Sequence, residues 1–228
     1  MWYTVILKIL QKLINYYCEN LYNYVAMAKR HCFKHFILIT RHRHRVIKNA
    51  SHMGIFWHSL GHDLSKYSPI EFFTSAKYYT GDHSPVYEER LHNNHFSKVC
   101  QHHTQRNPHH WDYWCDFYGG HILAKRMPWK YAVEYVCDVI SASQTYDPKN
   151  FDRSNPYNYF EGKKAHYFLN KGTSEFLSCC FKKFAESGWK ELKKKQTKAK
   201  YEEIASRTKE VDVYETEIDS IPFPELKS

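Results

Sequence analysis

Helical periodicity of apolar residues runs through almost the whole chain, and it restricts the fold more than any other feature. Near the amino terminus the apolar residues recur at Val5/Ile6, Ile9/Leu10 and Leu13/Ile14, which is the spacing of one face of an amphipathic helix. No segment shows the strict alternation of apolar and polar residues that is typical of a half-buried strand. We therefore predict an all-α fold.

Capping and turn residues divide this pattern into segments. Ser68-Pro69-Ile70-Glu71 has the form of a capping box with proline at the first helical position. Gly119-Gly120 is predicted to end a short helix that begins at Asn107-Pro108. The other predicted helices cover residues 4–30, 33–50, 55–66, 69–81, 87–104, 128–146, 173–187 and 189–209, and residues 147–172 are predicted to be mostly loop.

The segments group into three predicted regions. Residues 1–30 form an amphipathic helix, residues 31–188 a helical domain, and residues 189–228 a Lys/Glu-rich helix with a loosely ordered acidic tail from Val211. A chain of 228 residues can bury a core without disulfides. Its 7 cysteines are an odd number without a Cys-x-x-Cys motif, which favours a reducing, cytoplasmic setting. No run approaches the roughly 20 apolar residues of a membrane span, so we expect no membrane partner.

Charge and histidine content narrow the functional classes. The formal net charge of +9 favours anionic partners and leaves both nucleotides and nucleic acid open. Thirteen of the 16 histidines lie between His42 and His121, so they are concentrated in one part of the chain. Histidine is the commonest metal ligand and the usual proton carrier near neutral pH, and this concentration therefore indicates a site. The apolar stripe near the amino terminus leaves a homodimer open.

The dipeptide His62-Asp63 is the centre of the predicted site. At the end of a helix, an adjacent imidazole and carboxylate can converge on one ion, and both suit a divalent transition metal. His42 lies on the preceding predicted helix, and Asp138 lies in the middle of a later one, among Val136, Cys137, Val139 and Ile140. A carboxylate in such apolar surroundings needs a partner, and ligation of a metal is one way to supply it.

The order His, His-Asp, Asp on successive helices resembles the HD-domain superfamily of metal-dependent phosphohydrolases. Members that hydrolyse cyclic dinucleotides carry His-Asp-x-x-Lys, then His-His, then Ile-Pro before the helix with the last Asp. This chain has His62-Asp63-Leu64-Ser65-Lys66, then His102-His103, then Met127-Pro128. It departs from the Gly-Tyr-Pro stretch of that subgroup. Its His-Asp-Leu-Ser-Lys and Arg106-Asn-Pro-His-His-Trp111 motifs resemble more closely an uncharacterised HD-like family of bacteria and phages.

The resemblance implies an HD-domain-like helical bundle with helical extensions at both termini, and one or two divalent transition-metal ions (Mn, Fe, Ni, Co or Zn). The first ion would be held by His42, His62, Asp63 and Asp138. Asp63 could bridge to a second ion held by some of His95, His102, His103, His109 and His110, and of these we select His102 and His103 as ligands.

Other residues near the motifs are candidates for catalysis and substrate binding. Lys66 and Arg106 are candidate phosphate ligands, with His109 and His110 as further substrate-binding candidates. Asp63 and Lys66 are candidate catalytic residues. Glu134 lies one turn before Asp138, as a general acid or base, a partner of a metal ligand, or a solvent-facing side chain.

These assignments lead to one preferred function and three alternatives. The preferred function is a metal-dependent phosphohydrolase or phosphodiesterase that acts on a nucleotide, a cyclic (di)nucleotide or a similar phosphate ester. An HD-type di-iron oxygenase would use the same kinds of ligand. An HD nuclease, or a non-catalytic protein that binds nucleic acid or a nucleotide, is also compatible with the positive charge.

Overall fold

The computed structural model of the protein describes residues 31–215. The predicted helix over residues 4–30 and the last part of the acidic tail lie outside these residues. Along the described chain, helix α1 covers residues 31–52. The elements that follow are α2 (Phe56–Ser59), a 3-10 turn (Leu64–Tyr67), α3 (Pro69–Lys77), α4 (Pro85–His92), α5 (Lys98–Thr104), a second 3-10 turn (Trp111–Trp114), β1 (Cys115–Tyr118), β2 (His121–Lys125), α6 (Trp129–Tyr146), α7 (Asn155–Lys163), a third 3-10 turn (Lys164–His166), α8 (Lys171–Ser187), α9 (Lys194–Arg207) and β3 (Val211–Glu215).

Helix α6 lies at the centre of the described fold. Its side chains Val133, Val136 and Ile140 are fully buried and join one apolar cluster. That cluster also contains Val46 and Met53 from the α1 side, together with Phe160, Phe176, Leu177, Phe181 and Ile204 from α7, α8 and α9. Because α9 contributes Ile204, the segment after residue 188 packs into the same core as the helices before it.

A small antiparallel sheet corrects the prediction of an all-α fold. The fold is mainly helical, but β1, β2 and β3 form a three-stranded sheet in that order. Gly119 and Gly120 have φ values of +60° and +79°, so they form a two-residue hairpin turn and do not end a helix. Glycine adopts positive φ angles without steric cost, and this pair therefore allows β1 to fold back onto β2.

Three other segments differ from their predicted secondary structure. The predicted helix 87–104 is divided into α4 and α5 by a turn in which Asn94 and His95 have positive φ. Part of the predicted loop 147–172 forms α7, with Pro156 in its first turn. Val211–Glu215, predicted as the start of a loosely held tail, pairs with β2. In each case a turn or a partner distant in sequence decides the local structure.

A helix that spans a membrane must be both long and apolar. The helices of the described residues, 31–215, do not meet this requirement.

Candidate metal centre

A strained turn places His62 and Asp63 next to each other in the interior. The predicted helix 55–66 is interrupted here, since α2 ends at Ser59 and Asp63 adopts the left-handed conformation with φ 54°. Aspartate is one of the few residues other than glycine that enter this region at modest cost. Arg43 of α1 donates from Nε to the His62 carbonyl at 3.1 Å and from Nη2 to the Leu60 carbonyl, which ties the turn to α1. Both side chains of the dipeptide are therefore directed inward.

The first candidate metal group consists of His42, His62, Asp63 and Asp138, whose ligand atoms all lie within 4.8 Å of one another. The Nε2 atom of His42 lies 2.9 Å from Oδ1 of Asp138 and 3.9 Å from Oδ2 of Asp63. The Nε2 atom of His62 lies 3.3 Å from Oδ2 of Asp63 and 3.6 Å from Oδ1 of Asp138. The four residues of the HD resemblance thus meet in one place, although α1, the turn and α6 are far apart in sequence.

The second candidate group shares Asp63 with the first and adds His103, His109 and His110. Here the other carboxylate oxygen is used: Oδ1 of Asp63 lies 3.2 Å from Nε2 of His103 and 3.5 Å from Nε2 of His109. His103 lies in the last turn of α5, and His109 and His110 occupy the turn before Trp111. Because each oxygen of Asp63 faces a different group, this carboxylate has the placement of a bridge between two ions.

The polar atoms of both groups are spaced as the ligands of a cation are, and their hydrogen-bond geometry with one another is poor. Six buried ligand atoms make no hydrogen bond of good geometry among the described residues, although most of them lie within ion-pair distance of one another or of Lys66: Nε2 of His42, His62, His109 and His110, and both carboxylate oxygens of Asp63. Atoms about 2.1 Å from a shared ion lie roughly 3.0 to 4.2 Å apart, and the separations in the first group, 2.9 to 3.9 Å, cover the same range. Imidazole with carboxylate is also the donor set of divalent transition metals.

The carboxylates of the centre are held in their charged form. Burial opposes the charge of Asp63, but the surrounding His62, Lys66 and His103 outweigh it and hold its pKa well below the usual value. The pKa of Asp138 is likewise held well below its usual value, since contacts with His42 and His62 exceed the effect of burial. Both groups are therefore anionic at neutral pH, as metal ligands must be.

The histidines divide into two sets. Burial lowers the pKa of His42 and His109, and it lowers the pKa of His110 to about 3, so these rings are neutral near pH 7. Burial acts in the same direction on His62 and His103, but the nearby carboxylates, Asp63 first among them, raise both pKa values. These two rings carry the protons that partly balance the carboxylates when no metal is bound.

Two buried glutamates hold the imidazoles in position. Oε1 of Glu134 lies 2.8 Å from Nδ1 of His62, and Oε2 lies 2.9 Å from Nε2 of His58. Of the three meanings left open for Glu134, its position fits a partner of a metal ligand. Glu71 has the same relation to His103, with Oε2 2.9 Å from its Nδ1. Glu71 was not predicted as a site residue but as the last residue of a capping box; in the structure Ser68 caps α3, while the Glu71 carboxylate contacts His102 and His103.

The structure places the remaining predicted residues in different surroundings. The Nζ atom of Lys66 lies 2.6 Å from Oδ2 of Asp63, at the edge of the centre. His102 is directed towards Oε1 of Glu71, at 2.6 Å, and His95 lies in the turn between α4 and α5; neither belongs to the groups described above. Arg106 is exposed and donates to the His102 carbonyl at 3.2 Å. His109 and His110, predicted to bind substrate, lie among the ligand atoms of the second group.

A cavity of about 500 Å³ adjoins the centre. It is lined by His42, Asp138, Lys66 and His110, so it reaches both candidate metal groups. Much of the remaining wall is aromatic, formed by Trp111, Tyr135, Tyr146, Tyr159 and Tyr167. Trp111 and Tyr167 stack with ring centroids 4.9 Å apart. The described lining of the cavity therefore combines one lysine, candidate metal ligands and flat aromatic surfaces.

Comparison with known proteins gives a family but no activity. The model of a family of unknown function, DUF5662, matches residues 31–183, about two thirds of the chain. The protein belongs to this family. No curated protein and no solved structure matches the chain. The DUF5662 match contains every residue of both metal groups and ends within α8, before α9 and β3.

Proposed function

We propose that the protein is a metal-dependent phosphohydrolase that cleaves a small phosphate ester of nucleotide size. The observation that carries the proposal is the pair of ligand groups that share Asp63 beside a cavity containing Lys66. Two ions that share a carboxylate suit hydrolysis of a phosphate ester, because divalent metals neutralise phosphoryl oxygens and acidify water.

The residues of this chain have separate tasks in such a reaction. His42, His62, Asp63 and Asp138 would hold one ion, and Asp63, His103, His109 and His110 a second. Lys66 offers its ammonium to a phosphate oxygen at the cavity edge, and its pKa is raised by Asp63 and Asp138 despite burial, so it stays charged.

The walls of the cavity position the substrate. The aromatic side chains give a flat organic group a surface to pack on, and they exclude water from the reacting phosphate. Glu134 and Glu71 orient His62 and His103 through their Nδ1 atoms.

The shape and charge of the cavity favour a small substrate over a polymer. A single-strand nuclease typically binds the backbone in a long positively charged groove. This cavity holds about 500 Å³, and among the described residues that line it Lys66 is the only lysine or arginine, while Asp82 adds a negative charge. An HD-type di-iron oxygenase remains the second candidate, because the shared Asp63 would suit two iron ions equally well. Lys66 favours the phosphate ester.

The test is hydrolysis of a panel of nucleotides and phosphodiesters with Mn, Fe, Co, Ni, Mg or Zn. We expect metal-dependent release of phosphate or mononucleotide, with a greater loss of activity in Lys66→Gln than in Lys130→Gln, an exposed control on α6. Oxygen consumption and a mixed-valent iron signal without hydrolysis would favour the oxygenase. An uncleaved panel with every metal would contradict the proposed function.

A further inference from the structure

A second cavity, of about 420 Å³, lies against the carboxyl-terminal part of α1 and the end of α6. Its lining includes Arg45, Lys48 and His52 of α1, and Gln144 near the end of α6. It shares no lining residue with the cavity at the metal centre. The two cavities are nevertheless close along the chain, since Arg45 follows the candidate ligand His42 by one helical turn.

The charge of this second cavity is positive. Among residues 31–215, no Asp or Glu lines it. The Nη1 atom of Arg45 donates to the Gln144 carbonyl and, at 3.0 Å, to Oγ1 of Thr145, so neutral groups occupy this nitrogen. Burial, Lys193 and Lys48 together lower the pKa of His52, which places a third cation, that of Lys193, close to the cavity.

The dipoles of the neighbouring helices do not cancel this charge. Helices α1 and α6 both end near the cavity, and each carboxyl end contributes about −0.5 of an elementary charge. The two ends together contribute about −1, against +2 from Arg45 and Lys48 alone. The remaining positive charge favours an anion, and guanidinium with ammonium is a set of donors suited to phosphate.

Aromatic side chains form another part of the wall. Phe151 and Trp189 both line the cavity. The ring of Trp189 stacks on His52 with centroids 5.3 Å apart and an interplanar angle of 12°, and it contacts Phe184 at 4.7 Å, so its orientation is fixed. The volume is also larger than a phosphate ion alone requires.

We propose that this cavity is a second ligand site, which binds a mononucleotide-sized organic phosphate. The phosphate lies against Arg45 and Lys48, and the flat ring lies against Phe151 and Trp189. The site is independent of the proposed hydrolysis, because it contains neither a candidate metal ligand nor Lys66.

The experiment is calorimetric titration of the full chain with adenosine monophosphate, inorganic phosphate and adenosine, each in EDTA so that metal-dependent binding is removed. We expect adenosine monophosphate to bind more tightly than the other two ligands. Lys48→Gln should weaken that binding about tenfold or more, because it removes a charged hydrogen-bond donor from the phosphate. Lys48 is exposed, so this substitution leaves the core intact.

Two matched variants locate the binding. Lys130→Gln removes the same charge about 21 Å along α6 from Gln144 and should leave the affinity unchanged. Lys66→Gln should also leave it unchanged, since Lys66 lines the other cavity. The proposal is overturned if adenosine monophosphate does not bind, if Lys48→Gln has no effect, if Lys66→Gln removes the binding, or if bare phosphate binds as tightly. Metal-dependent hydrolysis by the Lys48→Gln variant is measured in a separate assay. A failure of hydrolysis in that assay contradicts the proposed function and leaves the second ligand site unaffected.

Discussion

The two sides of α6 are both buried, but they are built in opposite ways. On one side Val136 and Ile140 pack with Phe181 and other apolar side chains. On the other side Glu134 and Asp138 face histidines from α1 and from the turn after α2. The first side needs no ligand, because its apolar side chains are buried against one another. The second contains buried nitrogen and oxygen atoms that make no hydrogen bond of good geometry among the described residues.

The difference can be expressed as a free energy. An unpaired buried polar atom costs about 1–3 kcal/mol, and more if it is charged. Most of the six ligand atoms named above have ion-pair contacts that offset part of this cost, but contacts of poor hydrogen-bond geometry leave part of it in place. The polar side of α6 is therefore suited to a bound cation, whereas the apolar side supplies the stability that keeps the ligands together.

The largest effect is expected from Asp63→Ala, which removes the carboxylate common to both groups. The variant should lose both ions, as well as any metal-dependent hydrolysis. Elemental analysis of the purified protein measures the first, and Asp116→Ala, on the exposed side of β1, is the matched control. Retention of the wild-type metal content would refute the bridging role of Asp63.

Phe181→Ala should show the opposite behaviour. Its ring is fully buried in the apolar cluster, so the truncation should lower the free energy of unfolding by about 3–5 kcal/mol. The metal content of the folded variant should be unchanged. Denaturant unfolding measures the stability, with exposed Phe117→Ala as a control whose effect stays within about 0.5 kcal/mol. A loss of metal at unchanged stability would mean that the two sides of α6 are not separate.

Glu134→Gln tests whether a buried side chain of α6 that contacts His62 increases the affinity for metal. The amide still reaches Nδ1 of His62 but lacks the charge that makes the imidazole a better ligand, so metal affinity should fall about 10- to 100-fold. Competition with a chelator of known affinity measures the change, and exposed Glu186→Gln is the control. Unchanged affinity would limit Glu134 to a structural role.

The smallest effect concerns pH. The raised pKa values of His62 and His103 mean that a metal must displace their protons, so the apparent affinity should rise with pH through the neutral range. His42 and His109, whose pKa values are lowered, are already neutral there and should add nothing to the slope. Calorimetry in buffers of different ionisation enthalpy counts the released protons. Binding without proton release at pH 7 would contradict this assignment.

The first candidate metal group could be predicted from the sequence more completely than the second. His42, the His62-Asp63 dipeptide and Asp138 are predicted as one group because their order along the chain resembles the ligand order of the HD-domain superfamily, and because a carboxylate among apolar residues needs a partner. The prediction that buried His, Asp and Glu groups could hold a metal is confirmed at that level. The choice of individual ligands stays a prediction.

The second group depends on tertiary structure. His102 and His103 are equivalent in the sequence, and only the packing of α5 on α3 directs one to Asp63 and both to Glu71. His109 and His110 are predicted both as possible ligands of a second ion and as substrate-binding candidates, because no local pattern distinguishes a ligand from a neighbour of the ligand. The helices could be predicted from the periodicity of apolar residues. The strands could not, because Cys115–Tyr118 is too short to show an alternating pattern and is stabilised by pairing with the residues after the Gly-Gly turn.

Strand β3 has a consequence for how the boundary of this fold is drawn. It pairs with β2 along Val211–Glu215, and Tyr201 of α9 donates to the Met127 carbonyl at 2.8 Å, immediately before the helix that carries Asp138. A polypeptide cut at residue 183, where the family match ends, would leave the backbone of β2 open along one edge and remove a clamp from the start of α6. In this chain, residues 184–215 therefore belong to the same folding unit as the segment that matches the family.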